Sequence, residues 1–256
     1  MIASLAMYDW PQMRADHDRL WSRIAAALGR RGIAAPERLT RDTSLWKIWL
    51  SPDLLLALTC GLPYRDRLHG RVTLVGTPDY GLPDAPPGYY YSVFVTRQAE
   101  KGGVCDFLDR TLAYNGQDSQ SGWAAAQNHV RPAMFRRVLH TGSHRASAEA
   151  VAAGVADTAA IDATTWRLIT RFMPDIAARL RIIEATAPTP GLPLITALGN
   201  DGAALRAAFD EAVDTLPPDT RRSLGIGPTV TIAAEAYLSV PTPPLPSQDE
   251  LAMMPT

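Results

Sequence analysis

The residues of this chain best suited to chemistry are gathered in one stretch, LAYNGQDSQSGWAAAQ, which begins at Leu112. Its pattern predicts a strand ending at Asn115, then a polar turn, then a helix opened by Ser119, Gln120, Ser121 and Gly122. Helical propensity in Trp123-Ala124-Ala125-Ala126 carries that helix onward. The first backbone N–H groups of a helix have no partner within it and lie at the positive end of its dipole, so they suit an anion. Serine hydroxyls add rotatable donors, and Gly122 permits close approach. The same serines would equally serve as an ordinary helix cap.

A second set of donors is Thr141-Gly142-Ser143-His144, between an expected strand over residues 135–140 and an expected helix over 147–153. Capping beside a surface histidine is the competing reading. His140 and His144 are four apart, the spacing of a metal pair on a helix, but Gly142 and the strand-to-loop context break that geometry, and no metal is expected. Asp162 follows the strand segment Ala159-Ala160-Ile161. Its carboxylate would repel a fully ionised anion yet accept a hydrogen bond from a protonated oxyanion or an amine; alternatively it caps the helix carrying Trp166. In the run Tyr89-Tyr90-Tyr91, strand alternation turns Tyr90 one way and its neighbours the other. The chain has no P-loop, GxGxxG, HExxH or GxSxG, and no cysteine beside a plausible histidine partner, so nothing nominates a catalytic pair or a cofactor.

These loops need a scaffold. An initial strand over residues 2–7 precedes a helix over 12–28 with Leu20, Ile24 and Leu28 on one face. Buried strands are expected at 54–59 and 72–75, and a long one at 89–96. Strands at 111–115, 135–140, 158–161 and 181–186 then alternate with helices at 119–130, 147–153 and 164–172, and a last helix covers 201–214. Strands alternating with short helices argue for an α/β fold with mostly parallel sheets. Such sheets place ligands beyond the carboxyl ends of their strands, where Tyr8-Asp9, Cys60-Gly61, Asn115 to Gly122, Thr141 to His144 and Asp162 all fall. The proline-rich tail from Pro241 is expected to be extended.

The 256 residues, 46% hydrophobic and 20% charged, suffice for two lobes with buried cores. A formal net charge of −1 supplies no broad basic field for nucleic acid, although a few local donors suffice for a small anion. Cys60 and Cys105 lack metal or redox spacing, and the sequence does not settle whether they are bonded. No apolar run is long enough for a membrane helix. The first residues lack the basic region of an export signal, which sets the expectation of an unexported chain.

Together these segments resemble the substrate-binding proteins of phosphate/phosphite/phosphonate ABC importers. The resemblance runs from Met1 to about Thr196: MYDWP at Met7, LLLALTCGLPY at Leu54, LVGTPDYG at Leu74, GYYYSVFV at Gly88, LAYNGQDSQSG at Leu112, TGSH at Thr141, ADTAAIDATTW at Ala156 and PTPGLPLIT at Pro188. It implies an α/β, two-lobed periplasmic-binding-protein-like II fold, each lobe a mixed, mostly parallel sheet flanked by helices, with a hinged cleft. Lobe I would comprise residues 1–88 with 187–256, and lobe II residues 89–186. It further implies a non-enzymatic monomer that captures a small phosphorus oxyanion and hands it to membrane components of the importer in the periplasm. By the same likeness Ser119, Gln120, Ser121 and His144 would be oxyanion donors, Tyr90 a wall, and Tyr8 and Asp162 cleft-edge residues. Phosphonate binders typically carry STSG where this chain has SQSG, and an acidic residue near Leu192, which weighs against an amino-phosphonate. The alternatives are an enzyme on this fold, related to the pyrimidine-precursor synthases of thiamine biosynthesis, or a cytoplasmic ligand-sensing module.

Overall fold

A computed structural model describes residues 1–245. The chain divides into two compact units. The first is Met1–Tyr89 with Pro190–Ser239; the second is Tyr90–Thr189 with the described residues from Val240 onward. The sequence resemblance assigns the tail to lobe I. Instead it groups with the second unit, where the Asn128 side-chain amide donates to the Pro241 carbonyl at 2.8 Å. The remainder of the tail lies outside the described residues.

Among the described residues twelve strands are numbered in chain order: β1 Ile2–Ser4, β2 Leu54–Leu58, β3 Val72–Pro78, β4 Tyr89–Tyr90, β5 Ser92–Arg97, β6 Thr111–Tyr114, β7 Arg137–His140, β8 Thr158–Asp162, β9 Leu180–Ala185, β10 Thr189–Pro190, β11 Leu194–Ala197 and β12 Thr229–Val230. The first unit holds the sheet β1-β2-β11-β3-β12. Its strand β2 is LLLAL, buried throughout, as expected of a strand covered on both faces. The helix Arg14–Arg30 buries Leu20, Trp21, Ile24 and Leu28 and packs on the helix Gly202–Asp214, which buries Leu205, Ala208 and Phe209. A separate cluster of Ile48, Trp49, Leu54, Ala57, Tyr64, Leu68, Ile195 and Tyr237 closes part of this unit's core.

The second unit holds the sheet β7-β6-β8-β5-β9. Strands β7, β6 and β8 run parallel, whereas β5 is antiparallel to both β8 and β9. Phe94, Val104, Phe107, Leu112, Ala126, Val130, Phe135 and Ala160 form one of its apolar clusters.

Both sheets are mixed, and antiparallel pairing is more extensive than the sequence suggests. In the first unit the reason is β11: it follows Pro193, in a stretch where the sequence reading names no strand, and inserts antiparallel between β2 and β3. The expected opening strand stops at Ser4, and residues Ala6–Tyr8 form a 3₁₀ turn. The expected strand over 89–96 is broken at Tyr91 into β4 and β5. Among the described residues no helix is long and apolar enough to cross a membrane. Cys60 is buried, Cys105 is exposed, and neither forms a disulfide.

Candidate functional site

Three parallel strands of the second unit end side by side, and each is followed by a helix start. Beyond β6, Ser119 caps the helical segment that opens at Gln120; beyond β7, Ser143 caps the helix His144–Ala153; at the end of β8, Asp162 caps the helix Ala163–Phe172. All three caps are made by side-chain oxygens. The Gly122 N–H donates to Ser119 Oγ at 3.0 Å, the Ala146 N–H to Ser143 Oγ at 3.1 Å, and the Thr165 N–H to Asp162 Oδ1 at 2.8 Å. The plain capping reading therefore holds for Ser119 and for Asp162, whatever else they do.

Ser121 is not a cap. Its Oγ lies 2.7 Å from His144 Nε2 and 3.4 Å from Ser119 Oγ. The helix that carries it begins as a wide π turn, Gln120–Ala124, before tightening into Ala125–His129. Single π turns recur at functional sites, because the widened loop redirects side chains that an α-turn would stack. Ser92 at the start of β5 fixes this turn from below: its hydroxyl donates to the Ser121 carbonyl at 2.9 Å. Ser92 pairs directly with Asp162 across the β5–β8 ladder, so the buried carboxyl of Asp162 belongs to the same edge. Ser119, Gln120 and Ser121 are buried too.

Gly122 is required by close approach. A β-carbon there would lie 1.9 Å from Asn115 Oδ1 and 3.1 Å from His144 Cε1. Thr141 acts as scaffold, since its N–H and its hydroxyl both donate to the Tyr114 carbonyl, at 2.9 and 3.0 Å, and tie the β7 loop to the end of β6.

The imidazole of His144 is held neutral. Burial pulls its pKa from the ordinary 6.5 down to about 4, and this outweighs the Ala160 carbonyl nearby, which favours the charged ring but does not complete a hydrogen bond with Nδ1. Around the turn, Asn115 Oδ1, Trp123 Nε1, His144 Nδ1 and Thr164 Oγ1 are buried without a hydrogen-bond partner. Orphaned polar atoms are rare in folded proteins, and a group of them marks a place where the fold gives up stability.

The structure thus brings Ser119, Gln120, Ser121, His144 and Asp162 to one sheet edge. Tyr90 is buried on β4, two residues before Ser92. Tyr8 belongs to the first unit, where its ring meets Tyr80 edge-on at 4.9 Å. Neither Ser92 nor Asn115 is among the donors that the sequence nominates. Asn115 is visible there as the last residue of a strand, but Ser92 acquires its importance from the β5–β8 register, which no local pattern encodes. Among the described residues no group of three or more His, Cys, Asp or Glu side chains is arranged for a metal ion.

The profile of the family described as ABC transporter, phosphonate, periplasmic substrate-binding protein matches residues 55–223. Solved structures with the same fold include PhnD1 from Prochlorococcus marinus in complex with methylphosphonate, at TM-score 0.68 and 13% identity, covering 92% of this chain and 94% of that one. A binding protein component of an ABC phosphonate transporter from Pseudomonas aeruginosa aligns at TM-score 0.60 and 18% identity, over 87% of this chain and 77% of that one. A Xanthomonas citri protein bound to ATP aligns at TM-score 0.62 and 17% identity, over 88% and 94%. No curated protein matches the sequence at a significant level. With some two thirds of its length matched to the family profile, and the two-lobed α/β fold of its solved members, this chain belongs to the phosphonate-type substrate-binding proteins of ABC transporters.

Proposed function

We propose that the edge formed by Ser119, Gln120, Ser121 and His144 grips a small phosphorus oxyanion, namely phosphate, phosphite or a phosphonate, and that the chain delivers it to the membrane components of an importer. The observation that carries this reading is the Ser121–His144 pair at 2.7 Å, set at a helix start beside a second buried serine. A neutral imidazole can hold its Nε2 proton toward Ser121, which leaves the hydroxyl hydrogen for an incoming oxygen. Backbone N–H groups of the widened first turn add to these donors. Tyr90 supplies an apolar surface from β4, and Asp162 bounds the edge on the side of β8.

Each hydrogen bond to a charged oxygen contributes about 1.5–3 kcal/mol. Four or five donors then give roughly 6–15 kcal/mol before the costs of ordering and desolvation, compatible with dissociation constants from about nanomolar to millimolar. Capture and release need no bond making, in keeping with a family of transport proteins.

The test is calorimetric titration of the protein and its Ser121→Ala variant with phosphate, phosphite and methylphosphonate. The variant is expected to bind at least about tenfold more weakly, the loss of one charge-assisted hydrogen bond, with its melting temperature nearly unchanged. Equal affinity in the two proteins counts against the assignment.

A further inference from the structure

In the first unit the chain leaves β3 through Asp79-Tyr80-Gly81, a turn that the oxyanion reading does not use. A second loop is laid against it, leaving the helix Pro218–Leu224 through Gly225, whose φ of 59° lies in the left-handed region that glycine adopts freely. The two loops meet as backbone. The Asp79 N–H donates to the Pro228 carbonyl at 3.2 Å and the Gly227 N–H to the Asp79 carbonyl at 2.6 Å, while a β-carbon on Gly227 would lie 3.2 Å from that same carbonyl oxygen. Asp79 Oδ1 accepts the N–H groups of Gly81 and Gly88, both at 3.1 Å, so this side chain shapes its own loop.

Between these loops and the helix lies an open pocket of about 400 Å³, a volume ordinary for small-molecule sites. Every residue that lines it belongs to the first unit. Tyr80, Pro218 and Ile226 supply apolar surface, and the last turn of the helix contributes Arg221 and Arg222. The acids near these arginines hold them loosely: Arg221 stands 3.9 Å from Asp214 and Arg222 stands 3.4 Å from Asp219, both pairs in contact with solvent. By contrast, Arg41 closes on Asp18 and Arg110 on Glu100 at 2.8 Å. A charge-assisted hydrogen bond spans about 2.7–2.9 Å, and exposed pairs contribute little, so an incoming anion can replace these loose contacts with closer ones at small cost.

We propose that this pocket is a second binding site, built from none of the residues of the oxyanion edge, and that it takes a small aromatic carboxylate. A guanidinium presents its N–H groups as a planar fork that matches the two oxygens of a carboxylate. Two such forks side by side on one helical turn fix where the charged end of the ligand sits. The flat body of the ligand then covers the surface of Tyr80, Pro218 and Ile226, where a ring gains both apolar burial and an aromatic partner. A charge without a ring leaves that surface wet, and a ring without a charge leaves the arginines to solvent.

Three probes separate the contributions in titrations of the whole protein at neutral pH: benzoate, which has both ring and charge, benzamide, which has only the ring, and acetate, which has only the charge. Benzoate is expected to bind saturably, with the other two at least about tenfold weaker, and to shift the amide resonances of Gly225 and Gly227. The double variant Arg221→Met with Arg222→Met keeps the long apolar stems and removes both forks; it is expected to lose at least about tenfold in benzoate affinity while its phosphate titration stays as in the wild type. Arg221→Lys with Arg222→Lys, which keeps the charges but not the fork, is expected to fall between the two. Ser121→Ala is expected to bind benzoate as the wild type does. The proposal is overturned if the wild type shows no saturable benzoate binding, or if both double variants bind benzoate with wild-type affinity. It is equally overturned if Ser121→Ala abolishes benzoate binding, since the probe would then be entering the oxyanion edge instead.

Discussion

Ser121 Oγ and His144 Nε2, twenty-three residues apart in sequence, meet at 2.7 Å across the gap between two helix starts. The contact is possible because β6 and β7 pair in parallel with Tyr114 opposite His140, which brings the loops that follow them level. Thr141 then locks the two loops together through the Tyr114 carbonyl.

The enclosure of the ring makes stability depend on pH. With burial lowering the pKa of folded His144 to about 4 against 6.5 in the open chain, the unfolded state takes up a proton between these values that the folded state refuses. Stability is therefore full above about pH 6.5 and declines as pH falls toward 4, by on the order of 2–3 kcal/mol from this group. His17, also shifted down mainly by burial, acts in the same direction. Denaturant unfolding at intervals across this window is expected to show the decline. His144→Gln, which cannot titrate, is expected to remove the larger part of it, and a slope identical in both proteins would place the effect elsewhere.

Gly122 and Asn115 form a second coupled pair. Gly122→Ala would set a methyl group 1.9 Å from Asn115 Oδ1, so one of the two must move. Forcing atoms into such a contact destabilises by about 1–3 kcal/mol, and the displaced turn carries Ser121 with it. Asn115→Ala removes the obstructing oxygen. The double variant is accordingly expected to be more stable than Gly122→Ala alone, measured by thermal unfolding. Simple additivity of the two changes would mean the oxygen is not the obstacle.

Much of the scaffold is legible in the sequence because it rests on local pattern. The run LLLAL points to a buried strand, and the four-residue spacing of Leu20, Ile24 and Leu28 to a helix face. The SQSG turn is legible for the same reason, with a strand, a polar turn and an alanine-rich helix in succession. What stays hidden depends on pairing between distant segments. Strand β11 begins directly after a proline and becomes a strand because β2 and β3 leave a slot for it. Ser92 looks like any polar residue at a strand start until the register sets it against Asp162 and beneath Ser121. The division of labour between Ser119, which caps, and Ser121, which faces His144, is likewise beyond a pattern that treats the two serines alike.

The two cysteines give a direct check on how the chain is packed. Cys60 follows β2 by two residues and precedes the helical turn Gly61–Pro63, where it is buried; Cys105 lies on the 3₁₀ turn Val104–Phe107 and is exposed. Since a thiol must reach solvent to ionise and react, a disulfide-exchange reagent added to the native protein is expected to modify one thiol per chain rapidly and the second only as the chain unfolds. Cys105→Ser should abolish the rapid phase and leave the slow one, and Cys60→Ser should do the reverse. Because no disulfide joins the two sulfurs, denaturation without reductant should release two reactive thiols; recovering none would mean that a bond joins them and that Cys60 is not packed in the interior beside β2.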